Sequence, residues 1–273
     1  MIPVTVIIPV KNEELNLTNC LSKLSEFDQI IVVDSLSSDN TPEIAKSFKT
    51  EYVVFEWNGR YPKKRNWVLQ NLEIRNDWVL FLDADEYITK EFFDELSLKI
   101  CDQNLNGFWV VYHNYFMGKE LKYGDKMKKL PLFRKGMGEY EKIEEDFWSH
   151  LDMEVHEHPI VQGEIGKFKN HIIHNDYKCL EHYISKHNAY STWEAKRYLN
   201  LIKIGFKNLT FRQKLKYSLM KSGFLPMFYF IGSFFFKFGF LDGKTGYFLS
   251  KYKSYYFFQI QTKIKELKSE TRN

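Results

Sequence analysis

Apolar and polar residues alternate in blocks along the first third of the chain. Residues 2–10, IPVTVIIPV, form a β-branched, largely apolar run of the kind that makes a buried strand, and the polar stretch Lys11 to Glu14 ends it. Leu15, Leu17, Leu21 and Leu24 then recur at roughly helical spacing. A second apolar run, Gln29 to Val33, stops at Asp34-Ser-Leu-Ser-Ser-Asp39. Thr41 and Pro42 have the form of an N-cap followed by a first-turn proline, predicting a helix that carries Ile44, Ala45 and Phe48. Residues 51–55 predict a third strand, Arg65 to Leu72 a helix, and Trp78 to Leu82 a fourth strand. Strands alternating with helices at this spacing imply an α/β fold on a mainly parallel sheet. The sequence shows neither an internal repeat nor a low-complexity stretch.

Acids, not glycines, end these strands. The fourth strand runs directly into Asp83-Ala84-Asp85, at the carboxyl end where open α/β sheets place their ligands. Two acids separated by one small residue suit Mg²⁺ or Mn²⁺ and, through the ion, a diphosphate. No G-x-G-x-x-G follows the first strand and no G-x-x-x-x-G-K-[ST] occurs, so dinucleotide-binding and phosphate-loop readings lose their main support. Cys20, Cys101 and Cys179 are few and far apart, which suggests neither a disulfide framework nor a cysteine metal site. The strand at the amino end has no secretory leader pattern before it, so a cytoplasmic location is expected.

The runs VIIPVKNEE, IIVVDSLSSDNT, KKRNWVLQN and WVLFLDADE, in this order, resemble the nucleotide-binding half of the family 2 glycosyltransferases. That resemblance implies the GT-A fold, a Rossmann-like sheet with flanking helices. Farther on, YHNYFMGKEL, LPLFRKG, MEVHEH, IIHNDY and GFLDGKTGYFLSKYKSYYFF are similar to the subgroup that adds glucose to the inner core of lipopolysaccharide. The implied organisation is a catalytic domain over 1–195, with its nucleotide-binding half about 1–100 and its acceptor half about 101–195, followed by a helical extension over 196–273. Leu36 stands where the family usually has a glycine, at a turn that commonly needs a positive φ.

The resemblance implies inverting transfer from a nucleotide-diphospho-sugar. Asp34 has the chemistry to accept the N3 hydrogen of uracil, and Pro9 and Glu13 to shape the pocket and reach the ribose. Glu13 and Glu14 also suit a helix amino terminus. Lys63, Lys64 and Arg65 offer cations to the diphosphate or to Asp83; Arg65 is preferred, because a guanidinium makes paired oxyanion contacts, and a solvated helix start is the alternative for the lysines. Asp85 is the expected metal ligand, with Asp83 at the ribose, at a metal-bound water or sharing the ion. Asp152, Glu154 and Glu157 are the candidates for the base that takes the acceptor proton, and the family match falls on Glu157. His174 matches a family histidine near the metal or diphosphate. His156, His158, His171 and His174 lie close together but lack H-E-x-x-H spacing or a cysteine partner, so zinc is not expected.

The carboxyl-terminal third changes character. From Lys196 to Asn273 there are 16 Lys and Arg against 3 Asp and Glu, whereas the preceding residues carry more acid than base. Its aromatic run, Gly223 to Leu241, is interrupted by Pro226, Gly232 and Lys237 and falls short of the ~20 apolar residues a spanning helix needs. An interfacial element on an anionic membrane, peripheral on the inner face of the cytoplasmic membrane, accounts for both the aromatics and the charge. Nucleic acid is not expected as a partner, because the rings cluster apart from the cations. The expected activity is transfer of a hexose, glucose from UDP-glucose, to a lipid-linked glycan such as lipopolysaccharide core. The alternatives are a polyprenyl-phosphate sugar transferase and a non-catalytic membrane-surface binding module.

Overall fold

A computed structural model of the chain describes residues 1–124, 126–143, 152, 158–176, 178–206 and 209–270. The elements follow the order β1 (Ile2–Val10), α1 (Glu14–Leu21), β2 (Phe27–Asp34), α2 (Thr41–Ser47), β3 (Glu51–Val54), α3 (Lys64–Asn71), β4 (Trp78–Phe81), β5 (Glu86–Ile88), α4 (Lys90–Lys99), β6 (Leu105–Phe116), β7 (Lys119–Glu120), β8 (Met127–Arg134), β9 (Gly138–Tyr140), β10 (Pro159–Val161), β11 (Glu164–His174), α5 (Leu180–Ile204), α6 (Phe211–Ser222), α7 (Leu225–Ile231) and α8 (Gly243–Glu270). They form two compact units, Met1–Asn114 with Met127–Asp176, and Tyr115–Lys126 with Tyr177–Asn273.

In the first unit the sheet order is β3-β2-β1-β4-β8-β6-β11-β5. Strands β1 to β4 are mutually parallel, and β8 then pairs antiparallel with both β4 and β6. The sheet is therefore mixed, with its parallel part at the amino-terminal side. Apolar side chains leave both faces, as expected where helices cover a sheet on two sides. Val4, Val6, Ile8 and Val10 pack toward α1 and α4, whereas Ile7, Ile31, Val33 and Val79 pack with Val68 of α3 on the opposite face. Leu17 and Leu21 of α1 and Leu24 just beyond it are buried, and Leu15 is exposed.

Thr41 is not a cap but the first residue of α2, after Asn40. Its hydroxyl instead accepts from the Glu13 N–H at 2.8 Å, so it fastens the start of α1 to the start of α2. Leu36 has φ +58° and is 58% exposed, so the turn keeps the backbone a glycine would adopt and bears a strained leucine. Because that conformation costs a non-glycine residue roughly 1–2 kcal/mol and glycine returns part of it as unfolded-chain entropy, Leu36→Gly is expected to stabilise the protein by about 0.5–1 kcal/mol. A higher urea midpoint with unchanged slope is the measurement that checks it.

In the second unit α5 and α8 pack along each other around Ala195, Tyr198, Leu201, Ile260 and Ile264. α5 runs unbroken through 195–196, where the charge balance of the sequence reverses; the charge marks surface, whereas the compact units divide at 176–177. Gly246 lets α8 lie against the turn Gly239–Asp242: a Cβ there would fall 2.0 Å from the Gly239 carbonyl oxygen. The segment 115–126 is held by Asp242, whose carboxylate accepts from the N–H groups of Lys122 and Tyr123 and whose carbonyl accepts from Lys119 Nζ.

Candidate active site

The carboxyl ends of β1, β2 and β4 gather the polar residues singled out in the sequence. Asp34, at the end of β2, is buried, and its carboxylate accepts from the Ser37 N–H and hydroxyl and from the Tyr52 hydroxyl at 2.7 Å. It organises the turn that follows, and any base contact must share those oxygens. Pro9 is buried in β1 opposite Val33. Glu13 precedes α1 and accepts from the Asn16 side chain, while Glu14 accepts from the backbone and side chain of Asn40. Glu14 is thus a clasp between α1 and α2.

Lys63 precedes α3 at its N-cap and Lys64 and Arg65 begin the helix; all three are buried, so none belongs to a solvated helix start. Lys64 donates to the Val10 carbonyl at 3.0 Å, and its ammonium lies 3.6 Å from Asp152. Burial pulls the Lys64 pKa below its usual value. Burial alone would raise Asp152, but Lys64 holds it below the usual carboxylate range, which makes it a weak proton acceptor. Glu154, His156 and Glu157 lie outside the described residues.

After β4 the chain turns through Asp83, Ala84 and Asp85 into β5. Asp83 is held by two cations, Arg65 at 2.6 Å on one oxygen and Lys129 of β8 at 2.8 Å on the other. Lys129 also bonds Glu86 at 2.5 Å, and the second oxygen of Glu86 accepts from the Asp83 N–H at 3.0 Å. Burial would raise Asp83, yet Lys129 and Arg65 keep it well below the usual carboxylate range. Burial pushes Glu86, which is 1% exposed, up to about 7. The Arg65 guanidinium stacks 5.4 Å above the Tyr140 ring, while Asn66 exchanges two hydrogen bonds with the Tyr140 backbone and fixes β9 to α3.

Asp85 turns the other way. Its carbonyl accepts from the Asn175 N–H, and its carboxylate lies 3.8 Å from His174 Nε2. His174 Nδ1 is 3.0 Å from Asn114 Oδ1, and in the tautomer that carries its proton on Nδ1 the Nε2 atom presents its lone pair toward Asp85. In that tautomer the two groups offer ligand atoms that a cation can share. Asp85, His174 and Asp176 offer ligand atoms within 4.8 Å of one another. Asp83, Asp85 and Glu86 meet the same distance test, but Lys129 already bridges Asp83 and Glu86. The donor set that fits a divalent ion is therefore Asp85, His174 and Asp176, with mixed oxygen and nitrogen ligands compatible with Mn²⁺ or Mg²⁺.

Residues 5–155 match the family model of glycosyl transferase family 2, more than half of the chain. The chain belongs to glycosyl transferase family 2. Among curated relatives, an uncharacterized glycosyltransferase of Rickettsia typhi is 26% identical over 279 residues, covering 99% of this chain and 89% of the relative. The lipopolysaccharide core biosynthesis glycosyltransferase LpsC of Rhizobium meliloti is 26% identical over 207 residues, 71% of each chain. Among solved structures, S. aureus TarS 1-349 in complex with UDP-GlcNAc covers 98% of this chain and 92% of its own at 16% identity, with TM-score 0.47. The family membership makes this α/β unit a GT-A glycosyltransferase domain, with the acidic turn after β4 at its centre.

For this family 2 member the sequence pointed to Asp83, Asp85, Arg65 and His174, and the fold brings those four together. It gave no reason to choose Lys129 over its neighbours in KMKKLPLFRKG, nor Glu86, Asn114 or Asp176. The period-two alternation of β8 was the only available hint to Lys129, because it separates Lys129 from Lys128 across the sheet. Lys129→Met would leave Asp83 and Glu86 without their shared cation. Because Lys129 is 33% exposed, the expected loss lies at the low end for a buried ion pair, about 3 kcal/mol, read from urea denaturation at pH 7.

Proposed function

We propose that this protein is an inverting, metal-dependent hexosyltransferase that uses a UDP-sugar, UDP-glucose first among them, and a lipid-linked glycan acceptor such as lipopolysaccharide core. The observation that carries the reading is the division of labour at Asp83 and Asp85: one acid is neutralised by Arg65 and Lys129, and the other faces His174 and Asp176. A site with a locked acid, a cation pair and a separate ligand set suits a donor whose leaving group is a nucleoside diphosphate. Mg²⁺ or Mn²⁺, held by Asp85, His174 and Asp176, would supply Lewis-acid neutralisation of that leaving group.

The chain's own residues do the remaining work. Asp34 and the Ser37 turn it holds border the end of β1, where Pro9 and Glu13 lie and the base and ribose are placed in this reading. Asp83, unable to swing while Arg65 and Lys129 grip both oxygens, keeps a fixed acceptor toward the ribose side. Glu157 takes the proton of the acceptor hydroxyl as the new glycosidic C–O bond forms and the bond to the diphosphate breaks on the opposite face. The similarity to LpsC supports a glycan of the lipopolysaccharide core as acceptor. Screening the purified protein against a panel of sugar nucleotides, with and without Mn²⁺, tests the reading. UDP release confined to UDP-hexoses and dependent on the ion supports it, and release that ignores the ion refutes it.

A further inference from the structure

The second unit carries a surface that the chemistry of transfer does not use. Phe228, Phe235, Phe236, Phe238, Phe240 and Leu241 are each between 43% and 78% exposed, all within α7 and the turns that lead into α8. The rings of Phe235, Phe238 and Phe240 are joined into one cluster through Phe230 and Phe234. Phe234 stacks on Phe230 at 5.4 Å, meets Phe235 edge-on at 5.1 Å and reaches Phe240 at 6.3 Å, and Phe238 touches Phe240 at 6.1 Å. Scattered exposed apolar residues need no explanation, but a contiguous aromatic patch marks an interaction site. Phe238 also has φ +60° while 55% exposed, a residue that folding alone would not favour at that position.

Charge distinguishes the possible occupants. Between residues 198 and 265 the only acid in the sequence is Asp242, and it is 3% exposed with its carboxylate taken by two backbone N–H groups. Lysines border the aromatics: the Lys251 ammonium lies 4.5 Å from the centre of the Phe230 ring and 5.8 Å from that of Tyr247. A second copy of this face would set cations against cations. No single helix among the described residues is long and apolar enough to cross a bilayer, and α6 meets the following helical segment at a bend of 117°.

We propose that the aromatic layer from Phe228 to Leu241, with its flanking lysines, docks in the interfacial plane of a bilayer containing anionic lipid. The rings bury among the acyl chains, and Lys244 and Lys251 meet the headgroups. This does not rest on the transferase reading, because vesicle binding is measured without donor or acceptor. Flotation of the full-length protein with phosphatidylcholine vesicles, with and without phosphatidylglycerol, should show binding that needs the anionic lipid and weakens with salt. Phe235→Ser with Phe236→Ser should reduce partitioning by more than about tenfold. Lys244→Glu with Lys251→Glu lies on exposed helix surface and should lose only the part that depends on anionic lipid. Thermal midpoint and UDP titration should match wild type in both variants. Wild-type binding by either double variant overturns the proposal, as does equal, salt-independent binding to neutral vesicles, or a stable dimer in solution that the serine variant dissolves.

Discussion

Asp85→Asn is expected to abolish transfer in a protein that remains folded. The amide keeps the size of the side chain and its backbone contact with Asn175, but loses the anionic oxygen that faces His174. Lewis-acid neutralisation of a leaving diphosphate is worth several kcal/mol, so turnover should fall by about a thousandfold or more. The check is UDP release with Mn²⁺ alongside a circular dichroism spectrum of each protein. Wild-type activity in the variant, or in the native enzyme after chelation, would remove Asp85 from the role given to it.

Glu157→Gln should separate binding from chemistry. A positioned general base contributes roughly 10²- to 10⁴-fold, and turnover should drop by that order. Calorimetric titration with UDP and Mn²⁺ should match wild type, since Glu157 is assigned to the acceptor. Asp152→Asn is the paired control. Asp152 is held low by Lys64, and the amide keeps its backbone bond from the Lys64 N–H at 3.1 Å while giving up the charge that faces the Lys64 ammonium, so its replacement should cost some stability without removing a base. Loss of turnover in Asp152→Asn or Glu154→Gln with activity kept in Glu157→Gln would reverse the assignment; indifference to all three would favour a phosphate acceptor, which needs no strong base.

The donor half of the fold was legible because its signals are local. β1, β2 and β4 are apolar runs with acids after or at their ends, and the observed strands stop at Val10, Asp34 and Phe81, ahead of or at Glu13, Asp34 and Asp83. Thr41 was misread because its hydroxyl is used across the fold by Glu13 and not within its own helix. The buried state of Lys63 and Lys64 was equally hidden: three consecutive cations look solvated until Val10 and Asp152 are seen beside them. Asp85 and His174 came from motifs; Asn114 and Asp176 sit inside the runs YHNYFMGKEL and IIHNDY, but nothing in the sequence says that they or Lys129 face these two residues. Those partners are specified by strand register, which a single sequence does not print.

Register also sets an order of assembly. β5 follows the acidic turn immediately, yet its only ladder partner among the described residues is β11, through Glu86 with His174, Tyr87 with Ile173 and Ile88 with Ile172. A chain emerging from the ribosome with β1 to β4 complete has the strands of the nucleotide pocket and both acids, but His174 and Asp176 have yet to be synthesised. The amino-terminal strands can thus take shape early in translation, whereas the ligand set proposed for the ion is complete only when two segments far apart in sequence have paired. Chains truncated before β11 would make a sensitive probe of that sequence of events: nucleotide affinity without any response to Mn²⁺.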